Sequence, residues 1–565
     1  MEESQFDVIV FGTGLVNSIT AAALSKCGYK VAHIDSNPYY GGDEASLSLE
    51  ELVKWADRTA SSNAPSRFQR LTRSVEVPSQ SRQYSICLQP GVIPSVGPLI
   101  SSLVSSGVAK YSGFRLLEAV IVYDSTGVKN VPGSKEDIFK SKEISLLEKR
   151  RLMRFLTFAA TDFEDKKELE GMEDMPFLEF LPKVFSLGKE ITSVIGYSLA
   201  FCMSSTEPTL PTLQRLRNYL RSGGRYGASP FLIGDYGGIG DIAQGFCRAS
   251  AVCGGVYILS RAVQKISRLH PESTDALDTP PTEPPSTFNY TVDLDDFPDT
   301  LSCKLIISSL TYVPPELQSS IYQFPSVSPG AVQAAVNALA RCILIIDEPL
   351  VLRSPPPPQE PDQGPESTEH GTSNVHQDGT QVPAPAAADR AIDTAIVVFP
   401  PSSVDGGSET HPVTVLINGE SSLSTPKGKW LAYITLPLGS IPEEPITAES
   451  LLRPYVDALL RLAVNPSRVP LAPLFSLFYL EVPDERVLPS EGDPQASTYL
   501  VPAALPIASL PDFPDQATTV AEATFRAAVQ ILQKLSPPRE NEGEEESTPF
   551  WPPLPTDEDD EDSEW

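Results

Sequence analysis

Residues 8–24 read VIVFGTGLVNSITAAAL, an apolar run that ends in Gly12-Thr13-Gly14 and passes into small residues suited to a helix. With Phe6 and Asp7 in front, the segment 6–11 predicts a buried strand and 18–25 a helix; Tyr29 to Ile34 then predicts a second strand that ends at Asp35. That is a single βαβ unit. A dinucleotide fingerprint needs a first glycine for the tight turn, a second for backbone approach to a diphosphate, and a third where helix and strand pack closely. Here Gly12 and Gly14 fill the first two places, Asn17 stands in the third, and Asp35 lies where an acid would hold a ribose. Two readings stay open. One is a flavin- or nicotinamide-dependent oxidoreductase; the other is a glycine corner kept by a fold that holds no cofactor. Taken alone the loop makes the oxidoreductase the default, but the rest of the chain supplies no second glycine-rich phosphate loop, no cysteine pair and no histidine or tyrosine in a catalytic setting, which makes the second reading competitive with it.

At 565 residues the chain exceeds the ~250–300 at which one hydrophobic core stops growing, so two domains are expected. Prolines number 55, about twice ordinary usage, and predict long polar inserts. The net charge of -30 argues against nucleic acid as a partner, since no basic face is available to displace counterions from phosphate. Twelve Asp or Glu and no Lys or Arg fall in residues 540–565, so the tail carries -12 of that charge and reads as a solvated acidic end. Seven scattered cysteines without a CxxC suit a reducing compartment, and no His, Cys or acid set has metal-ligand spacing. No basic-apolar leader opens the sequence and no apolar run reaches ~18 residues, so neither secretion nor membrane spanning is expected. The terminal Glu564-Trp565 offers no prenylation box.

Farther along, 43–58 and 97–108 space their apolar residues for helices, 116–123 (LLEAVIVY) predicts a strand, and 135–222 is mostly helical in pattern. Strand-like runs return at 254–259, 304–308, 342–346, 395–399, 413–417, 430–436 and 475–480, before a helix over 518–535. The domain organisation read from this is a first α/β part over 1–115, an inserted, mainly helical unit over 116–222, and a second α/β part over 223–535. Disordered inserts are expected at about 271–299 and 353–390, and a disordered acidic, Pro-rich tail at 536–565.

The segment DSNPYYGGDEAS (35–46), together with FDVIVFGTGL before it, resembles the first conserved region of the Rab GDP-dissociation inhibitor and Rab escort protein superfamily. The resemblance recurs in GVAKYSGFR (107–115), NVPGSKEDIF (130–139), EKRRLMRFLTF (148–158), RYGASPFL (225–232) and GIGDIAQGFCRASAVCGGVYIL (238–259), in order over about the first 260 residues. EKRRLMRFLTF, CRASAVCGGVYIL, the polar inserts and the closing PFWPPLPTDEDDED look more like the escort branch, of a fungal type, than like the inhibitors. The resemblance implies an α/β fold, a flavin-dinucleotide-like domain with mixed sheets and an inserted helical domain, that holds no flavin. Gly12, Gly14 and Asp35 are then a vestigial loop.

It further implies a non-catalytic accessory subunit of Rab geranylgeranyltransferase, without cofactor or metal. Such a protein binds GDP-form Rab GTPases, presents them to the transferase α/β heterodimer, shelters the geranylgeranyl lipid and delivers the product by transient membrane contact. The expected setting is the cytosol, with the nucleus open as a second one. Recycling of prenylated Rabs by an inhibitor is the alternative within the family. Carried over residue by residue, the Rab-binding platform falls on Tyr39, Tyr40, Asp241, Gln244, Arg248 and Tyr257, with Asp241 where the family usually has Glu. Internal support of turns is the competing role for Tyr40, Gln244 and Tyr257. The groove for the Rab C-terminal tail falls on Leu99, Leu103, Val104 and Val108, and candidates for a prenyl pocket are Phe155, Phe158, Ile191, Ile195 and Leu199. For both sets ordinary core is the competing role. Phe177 and Phe180, in MPFLEFLP (175–182), are expected as exposed aromatics that dock on the transferase.

Overall fold

The computed structural model describes residues 4–62, 66–124, 127–131, 144–269, 288–325, 336–352, 390–462, 472–483, 495, 497–535 and 548–554. Its helices are α1 (Leu15–Lys26), α2 (Leu49–Ser61), α3 (Pro98–Ser105), α4 (Leu146–Ala160), α5 (Phe177–Phe185), α6 (Lys189–Val194), α7 (Thr209–Ser222), α8 (Ile239–Val252), α9 (Ala448–Leu462) and α10 (Asp512–Leu535).

The opening segment forms the expected unit. Strand Gln5–Phe11 pairs in parallel with Val31–Asp35 on one side and Leu301–Ser308 on the other, and Val256–Leu259 adds in parallel beyond Val31–Asp35. Parallel strands need crossover connections, and α1 provides the first. Its residues Asn17 to Ser25 are all buried, because the helix is wedged between the sheet, α8 and α10. Small residues permit this: Ser18 Oγ meets Cys247 Sγ at 3.2 Å, Ser25 Oγ meets Ser250 Oγ at 2.8 Å, and Thr20 Oγ1 donates to the Ala521 carbonyl at 3.3 Å. The sheet continues antiparallel through Tyr290–Leu294 to Val263–Arg268. Tyr290–Leu294 lies inside the 271–299 stretch expected to be disordered; its alternate residues Tyr290, Val292 and Leu294 are buried, a period-2 pattern hidden among polar neighbours. Residues 270–287 and 353–389 lie outside the described residues.

A second eight-stranded sheet runs Phe68–Arg73, Phe475–Glu481, Ala338–Ile346, Trp430–Leu438, Val413–Asn418, Thr394–Phe399, Ala119–Asp124, Gly127–Asn130. All its pairings are antiparallel except that of Thr394–Phe399 with Ala119–Asp124. The strand expected at 116–123 is present as Ala119–Asp124, whose β-branched residues pair it with Thr394–Phe399 while Gly127–Asn130 forms the edge, and among the described residues of 116–222 the first helix is α4. Ala338–Ile346 is buried along its whole length, including Arg341. That cation is matched by Glu481, which accepts from Arg341 Nε at 2.6 Å and also from Arg67 Nη2, so two guanidinium groups share one carboxylate held down at about 2 despite its burial.

Helices α4 to α7 pack as a bundle whose centre is phenylalanine. Phe185 lies 5.2 Å from both Phe155 and Phe158 and 5.8 Å from Phe180, and Phe155 lies 6.2 Å from Phe177. These edge-on and tilted pairs add to the burial that holds short helices together.

Candidate functional site

The first half of the site is the turn after Val31–Asp35. Asp35 does not wait for a ribose. Its Oδ2 accepts from Thr13 N at 2.8 Å and Thr13 Oγ1 at 2.7 Å, and its Oδ1 accepts from Asn37 N at 2.9 Å and Asn37 Nδ2 at 3.1 Å. Gly41 N donates to Thr13 Oγ1 at 3.0 Å, which fastens the Tyr39–Gly42 turn to the glycine loop. Gly12 takes φ +86°, the left-handed corner open to glycine, and Tyr312 stacks on Phe11 with ring centres 5.4 Å apart, closing the loop from above. Asn17 works otherwise than a third glycine: its Nδ2 donates to the Phe11 carbonyl at 2.8 Å and ties helix to strand.

Behind the turn stands a buried polar stack. Burial lowers His33 from its ordinary 6.5 to about 4, so the ring is neutral. Its Nε2 lies 2.7 Å from the Gly12 carbonyl and must carry the proton, which leaves Nδ1 to accept from Tyr257 OH at 3.2 Å. Tyr40 then meets the Tyr257 ring edge-on at 5.7 Å. Tyr39 OH accepts from Arg58 Nη2 at 3.3 Å. Tyr39, Tyr40 and Tyr257 are all half-buried, and Tyr257 is the one of the three that contacts His33.

The second half is α8. Asp241, Gln244 and Arg248 recur at spacings of three and four and so share one face of the helix. Gln244 and Arg248 are exposed. Arg248 lies over the Tyr111 ring at 4.9 Å, and Tyr111 OH donates to the Gly245 carbonyl at 3.1 Å. Burial, and then the neighbouring Asp235, raise Asp241 from 3.8 to about 6. Helix and turn are brought together at Gly240, where a Cβ would stand 2.2 Å from Ser46 N; only glycine lets the α8 backbone approach the segment that follows the Tyr39–Gly42 turn. Gly240 against Ser46 and Tyr40 against Tyr257 thus join the segments that carry the six expected residues, which lie about 200 positions apart in sequence.

The groove residues are distributed differently. Leu99, Leu103 and Val108 are fully buried, and Val104 alone, at 51 % exposure, faces out. Over this region lies the chain's own Thr548–Leu554 segment. Trp551 Nε1 donates to Ser102 Oγ at 3.1 Å and its ring stacks on Phe246 at 5.8 Å. Phe550 packs on Phe525 at 5.2 Å, and Leu554 covers Gly107 so closely that a Cβ there would stand 3.2 Å from its Cδ2. The expectation of a wholly disordered tail is corrected for these residues. Phe550-Trp551 between prolines was the available signal, masked by acids on both sides.

In the bundle, Phe155, Phe158 and Ile195 are buried, and Ile191 and Leu199 are half-buried. They fill the bundle interior themselves. Phe177 and Phe180 are 0 % exposed, which corrects the expectation of exposed aromatics: α5 turns them inward with Leu181 and Phe185, and turns Lys183 outward. Nearby, Leu146 and Leu147 at the head of α4 are exposed. Among the described residues no cluster of His, Cys, Asp and Glu is arranged to hold a metal, all seven cysteines are free, and no helix is long and apolar enough to cross a membrane.

Comparison with known proteins gives this arrangement a context. Residues 1–273 match the family model for GDP dissociation inhibitor. Over 281 residues the chain is 36 % identical to a Drosophila melanogaster protein named Rab proteins geranylgeranyltransferase component A, a match that covers 46 % of this chain and 54 % of that one. It is 33 % identical over 268 residues to the Rattus norvegicus Rab GDP dissociation inhibitor beta, covering 46 % and 57 %. A Candida albicans component A is 35 % identical over 261 residues, covering 45 % and 41 %. The chain thus spans about half the length of the curated relatives it matches. Among solved structures, a Rab GDI from Plasmodium falciparum superposes with a TM-score of 0.57 at 20 % identity, covering 95 % of this chain and 99 % of that one. An oxidoreductase from Methanosarcina mazei superposes with a TM-score of 0.53 at 15 % identity, covering 92 % and 99 %. At such identities these two speak for the shared fold alone.

Proposed function

We propose that this chain, whose residues 1–273 match the GDP dissociation inhibitor family model, acts as a Rab escort protein. In this reading it binds a newly made Rab in the GDP form on the face made by Tyr39, Tyr40, Asp241, Gln244 and Arg248. It takes the Rab tail along the α3 region around Val104, and offers the tail cysteines to a geranylgeranyltransferase heterodimer that does the bond chemistry. It then shields the attached lipid and releases the product at a membrane, working from the cytosol. The observation that carries the reading is the α8 face. An exposed cation stacked on an aromatic ring, an acid and an amide at one helical register, and two half-buried tyrosines beside them make a small polar-aromatic patch of the kind that orients a protein partner.

Two features support the escort branch. Component A proteins are among the relatives at 35–36 % identity, and the Phe550-Trp551 segment lies on the expected tail groove, where an extended apolar peptide could take its place. The 33 % identical Rab GDP dissociation inhibitor keeps recycling of prenylated Rabs as the second reading. An oxidoreductase is not favoured, because both oxygens of Asp35 are already engaged by Thr13 and Asn37.

Reconstituted prenylation decides between the two. The purified chain is added to an unmodified GDP-loaded Rab, the transferase heterodimer and geranylgeranyl diphosphate. Lipid incorporation that depends on this chain is expected. No incorporation, with tight binding of an already prenylated Rab, would establish the inhibitor instead.

A further inference from the structure

The head of α1 is where a dinucleotide-binding fold places its diphosphate: the first N–H groups of the helix point outward, the dipole favours an anion, and a glycine lets the phosphate approach. In this chain that position is taken. Leu15 N, the first amide of the helix, donates to Glu44 Oε2 at 3.1 Å. The same oxygen stands 2.7 Å from where a Cβ on Gly14 would be, so the glycine that ordinarily admits a phosphate admits a carboxylate. Glu44 is delivered by two consecutive left-handed glycines, Gly41 at φ +98° and Gly42 at φ +53°, which turn the chain back onto the loop. Gly42 itself lies so near that a Cβ on it would be 3.3 Å from Gly14 N. Glu44 is 8 % exposed. Together with Asp35 and Tyr312, it leaves a dinucleotide neither its phosphate position nor its ribose acid.

We propose that Glu44 is this chain's internal replacement for the diphosphate of a dinucleotide, and that by anchoring to α1 it holds the Tyr39–Gly42 turn in the position from which Tyr39 and Tyr40 meet a partner. The residues present do not fit a bound dinucleotide, because the chain's own carboxyl group already occupies the Leu15 amide and the space beside Gly14. Glu44 is thus a positioning residue, one step behind the docking face. The first clause stands independently of the escort reading; the second rests on it.

The test uses the full chain with Glu44→Ala, Glu44→Ser and the near-isosteric Glu44→Gln. Thermal unfolding is followed with and without millimolar pyrophosphate or ADP. Pyrophosphate is expected to leave the parent chain and Glu44→Gln unmoved, because both side chains still fill the position. The Ala and Ser variants are expected to gain about 2 °C in midpoint, as an anion binds the uncovered amides. In a second arm, Glu44→Ala is expected to weaken binding of a GDP-loaded Rab about tenfold, with partial recovery on adding pyrophosphate. Stabilisation of the parent chain by ADP or pyrophosphate, or no gain in either small-residue variant, overturns the replacement. If the small-residue variants do not fold, hydrogen exchange of the Leu15 amide in the parent chain decides: protection supports the contact, and exchange at the rate of a free amide overturns it. Failure of the parent chain to bind any Rab defeats the escort reading and leaves the anion arm intact.

Discussion

Replacing Phe550 by Ala should release the Thr548–Leu554 segment from the α3 region without unfolding the domain. The ring is 9 % exposed and lies between Phe525 at 5.2 Å and Trp551 at 4.7 Å. Burial of a phenylalanine side chain contributes about 2 kcal/mol and aromatic pairing adds about 1 kcal/mol. The loss of about 3 kcal/mol falls on a local equilibrium between docked and open segment, because these residues belong to no strand or helix of the fold. At 1.4 kcal/mol per decade, the docked-to-open ratio falls by about a hundredfold. A ligand that needs the open state binds with its intrinsic constant divided by the open fraction. A fluorescent peptide carrying the C-terminal sequence of a Rab should therefore bind the variant more tightly than the parent chain, by up to about a hundredfold. The ceiling is set by a chain truncated before Thr548. Anisotropy titration measures all three. The reasoning fails if the variant and the truncated chain hold the peptide no more tightly than the parent does, for then the segment and the tail do not compete for one surface.

Arg248→Ala should weaken binding of a GDP-loaded Rab by at least about tenfold, and Arg248→Lys should not restore it fully, since an ammonium does not reproduce the planar stacking of a guanidinium on Tyr111; calorimetric titration reads both. Burial, and then Asp43, raise Glu44 from 4.5 to about 7, so the folded chain binds a proton there that the unfolded chain has lost. The stability from this group is full below pH 4.5 and is lost as pH rises to about 7. Relative to Glu44→Gln, which cannot titrate, the parent chain should therefore lose on the order of 3 kcal/mol across that window in urea unfolding; a pH-independent difference between the two would contradict this. Phe177→Ala should cost about 3–5 kcal/mol in the same assay by leaving a cavity in the aromatic centre of the bundle. Retained stability with selective loss of transferase docking would instead return Phe177 to the docking role expected from the sequence.

Local pattern made some elements legible and hid others. Residues 6–35 could be read because an apolar strand, a glycine corner and a small-residue helix lie consecutively, and each obeys its own period. Tyr290–Leu294 was missed because its three buried residues alternate with polar ones beside a stretch rich in Pro, Thr and Asp. The burial of Phe177 and Phe180 differs from the expectation because it depends on how α5 meets Phe155 and Phe158, partners 20 or so positions away. Glu44 carries no local signal: the second acid after two glycines looks like any turn residue until the turn folds onto Leu15.

The sequence by itself determined the βαβ opening, the acidic charge balance and the run of motifs over the first 260 residues, since these reside in contiguous residues and in composition. Tertiary structure alone decided what the glycine loop does now, which aromatics face solvent, and where the chain's end rests. Those outcomes are set by contacts between segments remote in sequence: Glu44 against the head of α1, Gly240 against Ser46, and Trp551 against Ser102. Burial and hydrogen bonding choose a residue's role there, and neither is encoded in its immediate neighbours.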